Sequence, residues 1–225
     1  MYKLIVLFMI YSFFGWLMEV IFKLVQNKKL VNRGFLVGPI CPIYGVCALI
    51  MYGVFSNINY NFLIVFIVSI AMCALIEYFV SWLLEYLFNA RWWDYSHKRF
   101  NLNGRICLRN LLFFGFLGCI GIYFINPFLF SIIDSISYNN LKIISIFLLI
   151  ILLIDTFVSI KLVNSLKIAF LNLKKDATEE ISKRIRRALF DKSMYFRRVV
   201  IAYPNFKFSN KYIKKIKEKI KIKKH

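Results

Sequence analysis

Charge is scarce in this 225-residue chain: only 19% of residues are Asp, Glu, Lys or Arg, against 60% hydrophobic. A soluble domain of this length is nearer half apolar and a quarter charged. With a mean hydropathy of +0.64, the composition excludes a soluble globular protein and a disordered chain. Acids are the scarcest charge, 11 against 31 Lys and Arg. There are two histidines, one of them the terminal His225, and no His-x-x-x-His or Cys-x-x-Cys spacing. A hydrolase built on a histidine base or a zinc ion is thereby disfavoured, no metal or cofactor is expected, and His97 reads as a solvated loop residue. The Gly-x-x-x-x-Gly-Lys-Ser/Thr loop is missing, so the chain does not hydrolyse ATP by that route. So is the Gly-x-Ser-x-Gly elbow of serine hydrolases. A carboxylate-based membrane enzyme is not excluded by these absences. No small-residue cleavage site follows the first apolar run, which also contains Glu19, so that run reads as a retained span. The five cysteines (Cys41, Cys47, Cys73, Cys107, Cys119) lie in or beside apolar stretches and read as reduced, packed thiols.

The net charge of +20 is not spread evenly. From residue 172 onward there are 18 Lys and Arg against 5 Asp and Glu, a net +13. The sequence therefore divides into an apolar body, 1–171, and a basic tail, 172–225. A membrane-crossing helix needs about 20 mostly apolar residues. Five segments of the body qualify, at roughly 2–25, 38–55, 61–89, 108–131 and 142–169. The second begins with Gly38, Pro39, Pro42 and Gly45, which suit a re-entrant start covered by protein or a water cavity. The expected fold is thus all-α, a polytopic bundle of about five transmembrane helices followed by a basic helical tail.

The connections orient it. Residues 26–37 carry Lys28, Lys29 and Arg33, and residues 90–107 carry Arg91, Lys98, Arg99 and Arg105. Residues 56–60 have no charge, and 132–141 have Asp134 without Lys or Arg. Basic links stay cytoplasmic, so the N-terminus is expected outside and the C-terminus inside.

Four of the six acids in the body fall within spans: Glu19, Glu77, Glu85 and Asp155. A carboxylate at bilayer depth is costly, so it faces a partner or a wet cavity. Ser81 lies four residues from both Glu77 and Glu85, Ser159 four after Asp155, and Lys23 one turn after Glu19. Three arrangements suit these acids. Each pairs with Arg33, Arg91 or Arg105 and locks the bundle; or together they form a polar, proton-coupled path in the inner half of the membrane; or they snorkel to the interface, as Glu85 is best placed to do.

Two links are dense in residues of special geometry. Asn32, Arg33, Gly34, Gly38, Pro39, Cys41, Pro42, Tyr44 and Gly45 fall within fourteen positions that read as a turn and not a helix. This link is either a buried helix breaker or a gating, ligand-binding loop. The second runs through Arg91, Trp92, Trp93, Asp94, Tyr95 and Ser96 to Asn101, Asn103, Gly104 and Arg105. Its aromatic residues suit an interfacial belt, Asp94 and Arg105 a salt bridge, and Asn101-x-Asn103-Gly104 a turn into the fourth span. There Gly115, Gly118 and Gly121 favour close helix packing.

The tail reads as a helix over 176–193, with Thr178 as cap and Glu179 and Glu180 in its first turn. After Pro204, Ile213, Ile216 and Ile220 form a stripe among lysines that suits an anionic leaflet. Nucleic acid is disfavoured because lipid is the nearer polyanion; a partner protein remains an option.

The motifs Phe14-Gly15-Trp16 with Glu19, Asn32 to Gly45, Glu77, Glu85, Trp93-Asp94-Tyr95-Ser96 and Phe100 to Leu108 resemble the putative ABC-transporter type IV family of small bacterial membrane proteins. The resemblance covers about residues 11–120. It implies a permease-like component of a bacterial cell membrane, multi-pass, working with a separate ATPase. Five spans being few, it also implies a homodimer or partner chain. Beside the resemblance, the residues themselves read as one inner-side polar cluster of Glu19, Arg33, Glu77, Glu85, Asp94 and Arg105. Two other readings stand beside it: a lipid-handling membrane enzyme using these carboxylates with Arg33 and Arg105, and an anchor acting through its tail.

Overall fold

Long apolar runs leave a helix as the only open structure that satisfies its own backbone in lipid, and helices dominate the computed structural model. It describes residues 1–28, 32, 34–55, 60–88, 90–173 and 207–208. In chain order the elements are α1 (Tyr2–Asn27), α2 (Pro42–Phe55), α3 (Phe62–Phe88), β1 (Ala90–Arg91), β2 (Asn101–Leu102), β3 (Ile106–Cys107), α4 (Leu108–Ile120), a π-turn (Gly121–Ile125), α5 (Asn126–Asp134), α6 (Tyr138–Leu173) and β4 (Lys207–Phe208). The strands form two antiparallel pairs, β1 with β4 and β2 with β3. Four segments are long and apolar enough to cross a membrane: Tyr2–Val25, Phe62–Phe88, Leu108–Asp134 and Tyr138–Ser165.

The second expected span differs. Its helix is α2, only 14 residues, about 21 Å long against a hydrocarbon core of about 30 Å. Residues 34–41 before it are non-helical. The expectation that the whole stretch to Gly45 is a turn is corrected in turn: Pro42, Tyr44 and Gly45 belong to the first turn of α2. Proline is accepted at the first helical position, where its missing N–H has no partner to lose. The fourth span is interrupted by the π-turn, which precedes Pro127. Proline removes a ladder hydrogen bond and crowds the preceding turn, and the wider turn absorbs this.

The chain divides into two units, Met1–Glu77 with Leu108–Leu162, and Tyr78–Cys107 with Val163–His225. In the first, Val6 and Leu7 of α1 pack with Leu129 and Ile133 of α5 and Leu141 of α6. Met51 and Phe55 of α2 pack with Val65 of α3 and Cys119 of α4. Leu36 and Ile40 of the non-helical segment pack against Met9 of α1, with Leu148 and Leu152 of α6 beside them. This segment is therefore partly covered by protein, with Gly34, Leu36 and Ile40 buried and Pro39 exposed. Several small residues sit at close contacts between helices. Ser12, Ser69, Ser145 and Ser159 are fully buried, and a Cβ at Gly115 would lie 2.7 Å from the Phe66 ring. In the second unit the β2–β3 hairpin follows the end of α3. The five cysteines named above are free thiols, Cys73, Cys107 and Cys119 buried. The tail readings at Thr178, Glu179, Glu180, Ile213, Ile216 and Ile220 lie outside the described residues.

Candidate functional site

The polar residues gather in two hydrogen-bond networks, one in each unit. The first grows from one face of α1, where Ser12, Gly15, Trp16 and Glu19 follow the i, i+3, i+4, i+7 spacing of a helix stripe. Trp16 Nε1 donates to Asn32 Oδ1 at 2.7 Å, and Asn32 Nδ2 donates to the Val37 carbonyl at 3.0 Å. Asn32 Oδ1 also accepts the Gly34 amide at 3.3 Å. The chain turns at Pro39, where the Ile40 amide donates to the Gly38 carbonyl, and the Cys41 amide donates to the Ser12 carbonyl, both at 2.9 Å. Tyr44 of α2 donates its hydroxyl to Glu19 Oε1 at 2.9 Å. Gly15 makes room for this tyrosine: a Cβ there would overlap the Tyr44 side chain.

Asp155 of α6 closes the network. Its Oδ1 accepts the Val37 amide and its Oδ2 the Gly38 amide, both at 2.9 Å. Ser159 Oγ accepts the same Val37 amide at 2.9 Å and donates to Asp155 Oδ1 at 3.2 Å. A carboxylate that accepts adjacent backbone amides is satisfied without a cation. Gly38 lets it come so close, because a Cβ there would stand 2.7 Å from Oδ2. Asp155 therefore holds irregular backbone in place.

The second network fixes Arg105. Asn103 and Gly104 both have left-handed backbone, φ 53° and 66°. The Arg105 amide donates to the Leu102 carbonyl at 3.0 Å, which makes a type I′ turn, the geometry that matches the twist of a hairpin. The Trp93–Ser96 strap grips that turn from outside. The Tyr95 amide donates to the Gly104 carbonyl at 2.8 Å, and Trp93 Nε1 to the Arg105 carbonyl at 2.9 Å. Asn101 Oδ1 accepts the Gly104 amide at 3.0 Å, and Asn103 Nδ2 donates to the Tyr78 hydroxyl at 3.0 Å. So held, Arg105 donates to Glu85 Oε2 at 2.8 Å and Ser81 Oγ at 3.1 Å. Its guanidinium also lies over the Tyr78 ring, 5.6 Å from the centroid. Arg91 approaches the same Glu85 oxygen at 3.4 Å.

A family model described as putative ABC-transporter type IV matches residues 6–160. The chain belongs to this family. No curated protein and no solved structure matches it. The matched range of the type IV family holds every residue of both networks and stops before the basic tail.

Within this type IV chain, Glu19, Asn32, Gly34, Gly38, Pro39, Cys41, Pro42, Tyr44, Gly45 and Asp155 share the first network or its turn. Glu85, Trp93, Asp94, Tyr95, Asn101, Asn103, Gly104 and Arg105 share the second. Glu77 is buried on α3, 6% exposed, with the thiols of Cys47 and Cys73 for neighbours. Arg33 lies outside the described residues. Arg105 pairs with Glu85 rather than with Asp94 as the sequence suggested. Asp94 Oδ1 instead accepts the Ser96 amide at 3.0 Å and lies 3.8 Å from Arg91. The turn points Arg105 toward α3, which decides the pairing. Of the aromatic residues expected in an interfacial belt, Trp92 is buried against Phe88, Trp93 donates to the turn and the Tyr95 amide does the same. Tyr78 was missed by sequence reasoning. Its signal was available, since Tyr78, Ser81 and Glu85 share an i, i+3, i+7 face of α3.

Proposed function

We propose that this chain is the membrane-integral, permease-like subunit of an ABC-type transporter in a bacterial cell membrane, working with a separate ATPase and as a homodimer or beside a partner chain. In this reading the body, 1–171, makes five passes, with the N-terminus outside and the C-terminus inside. The second pass is discontinuous: residues 34–41 return from the inner side along α1, and α2 completes the crossing. Ser12 lies about 15 Å along α1 from Tyr2, and its carbonyl accepts the Cys41 amide. That supports a start of α2 near the bilayer midplane.

The observation that carries the reading is the pair of amide bonds from Val37 and Gly38 to Asp155. Transporters of several folds use broken helices near the midplane to present backbone groups to cargo. Unwound backbone held by a carboxylate is suited to that work, because moving Asp155 frees the Gly38 amide and leaves the Val37 amide to Ser159 alone. Glu19, joined to α2 through Tyr44, couples α1 to the same segment. The basic tail, 172–225, holds anionic lipid at the inner surface.

The test is to purify the tagged full chain from its native membrane in mild detergent. A stoichiometric ATPase subunit is expected, whose ATP hydrolysis falls several-fold in the Asp155→Asn complex while the subunits stay together. Recovery of the chain with no ATPase under every mild condition would overturn the reading.

A further inference from the structure

Phe100 has φ 52°, a left-handed backbone that bulky side chains avoid, and it is 80% exposed. Strain of this kind persists only where the surroundings hold it. Here Asn101 Nδ2 donates to the carbonyls of Ser96 and Lys98, at 3.3 and 2.7 Å, and the Lys98 amide donates to the Tyr95 carbonyl at 2.8 Å. Leu102, two residues on, is also exposed. So are His97, Lys98 and Arg99, and no acid occurs from Ser96 to Asn103. The hairpin thus presents two large apolar side chains beside two cations, on a backbone already fixed.

Its depth follows from its hydrogen bonds. α3 has 27 residues, about 40 Å, and so exceeds the hydrocarbon core by about 10 Å. The turn does not stand off the end of this helix. Asn103 bonds Tyr78, and Arg105 bonds Ser81; these lie ten and seven residues before Phe88, about 15 and 10 Å back along the axis. The turn that follows Leu102 therefore lies beside the inner end of α3, close to the rim of the core.

We propose that this tip is an interfacial anchor for the anionic inner leaflet. Phe100 and Leu102 enter the boundary between headgroups and acyl chains, and Lys98 and Arg99 take lipid phosphates. The assignment rests on the inside placement of residues 90–107 and not on a transport role. Charge complementarity and depth select a lipid surface over a soluble protein.

The full chain carrying His97→Cys or Phe100→Cys is reconstituted in vesicles of phosphatidylcholine with phosphatidylglycerol. A membrane-impermeant maleimide is applied to the hairpin side, with the unsubstituted chain as background. Position 97 is expected to react freely and position 100 slowly. In phosphatidylcholine alone the protection at 100 should weaken by about thirtyfold, about fivefold for each cation, and Lys98→Gln with Arg99→Gln should reproduce that loss. A Leu102→Cys reporter should become as reactive as position 97 when Phe100 is changed to Gly. Glycine accepts φ 52° without strain, so the thermal midpoint of Phe100→Gly in detergent should hold or rise. Equal reactivity at 97 and 100, protection that needs an added soluble protein, or a lower midpoint in Phe100→Gly would each overturn the anchor. Reaction of position 97 only from the opposite side would overturn the orientation and the anchor with it. A missing ATPase partner would overturn the transport reading and leave these rates unchanged.

Discussion

At Gly104 a single methyl group decides whether the hairpin closes. The residue has φ 66°, and a Cβ would stand 2.7 Å from Asp94 Oδ1, 3.2 Å from Arg91 Nη1 and 3.2 Å from the Ser96 amide. Left-handed backbone costs a non-glycine residue about 1–2 kcal/mol, and the strap cannot retreat without giving up its bonds to the turn. Gly104→Ala should therefore lower the thermal midpoint of the detergent-solubilised chain by several degrees, whereas Gly53→Ala, which meets nothing within 4 Å, should leave it unchanged or raise it. Equal effects would mean that the turn is not under this constraint. At Arg105 the fork geometry matters as much as the charge, since it reaches Glu85 and Ser81 together. Arg105→Lys should cost less than Arg105→Gln, which forfeits a charge-assisted bond worth about 2 kcal/mol. The two unfolding midpoints give that order directly.

Among the elements, the segment 34–41 shows what amino-acid order discloses and what it conceals. Its glycines and prolines announced broken helix, and the length of α2 fits that reading. The acids within the apolar runs were equally legible as residues that need partners. The identity of those partners was not. Asp155 meets backbone amides 117 and 118 positions away, and amides carry no signature in a sequence, whereas Arg33, Arg91 and Arg105 do. The Arg105–Glu85 pair was within reach because both partners are charged side chains, yet its choice over Asp94 depends on where a type I′ turn aims. Asp155→Asn tests the network. Its amide group would turn a donor toward the Val37 or Gly38 amide, leaving a half-buried donor unsatisfied at about 1 kcal/mol or more, although it removes a charge that is costly in lipid. Ser159→Ala leaves the Val37 amide bonded to Asp155 and should cost less than half as much. A thermal series in one detergent decides between this ranking and its reverse, and the reverse would make the serine the principal tether.

For the molecule as a whole, orientation and tail charge are separate questions. The tail carries the larger share of the net +20, but each basic link between spans has its own cations, and positive charge within about 15–20 residues of a span end governs which side it takes. Both networks close without the tail: the residues they join run from Ser12 to Ser159. The only described strand beyond Leu173 is β4, which pairs with two residues, Ala90 and Arg91. The Lys3–Asp134 pair is about half exposed on both sides and contributes little. A chain ended after Leu173 should therefore insert in the same orientation. A reporter after residue 58 or 136 should read outside, and one after residue 97 inside, in both the full and the shortened chain. What the shortened chain should lose is retention of phosphatidylglycerol through purification, and the loss should match that caused in the full chain by high salt, because tail and headgroups interact by screened charge. Inversion of the reporters on removal of the tail would show that its 18 cations, and not the two links, set the topology.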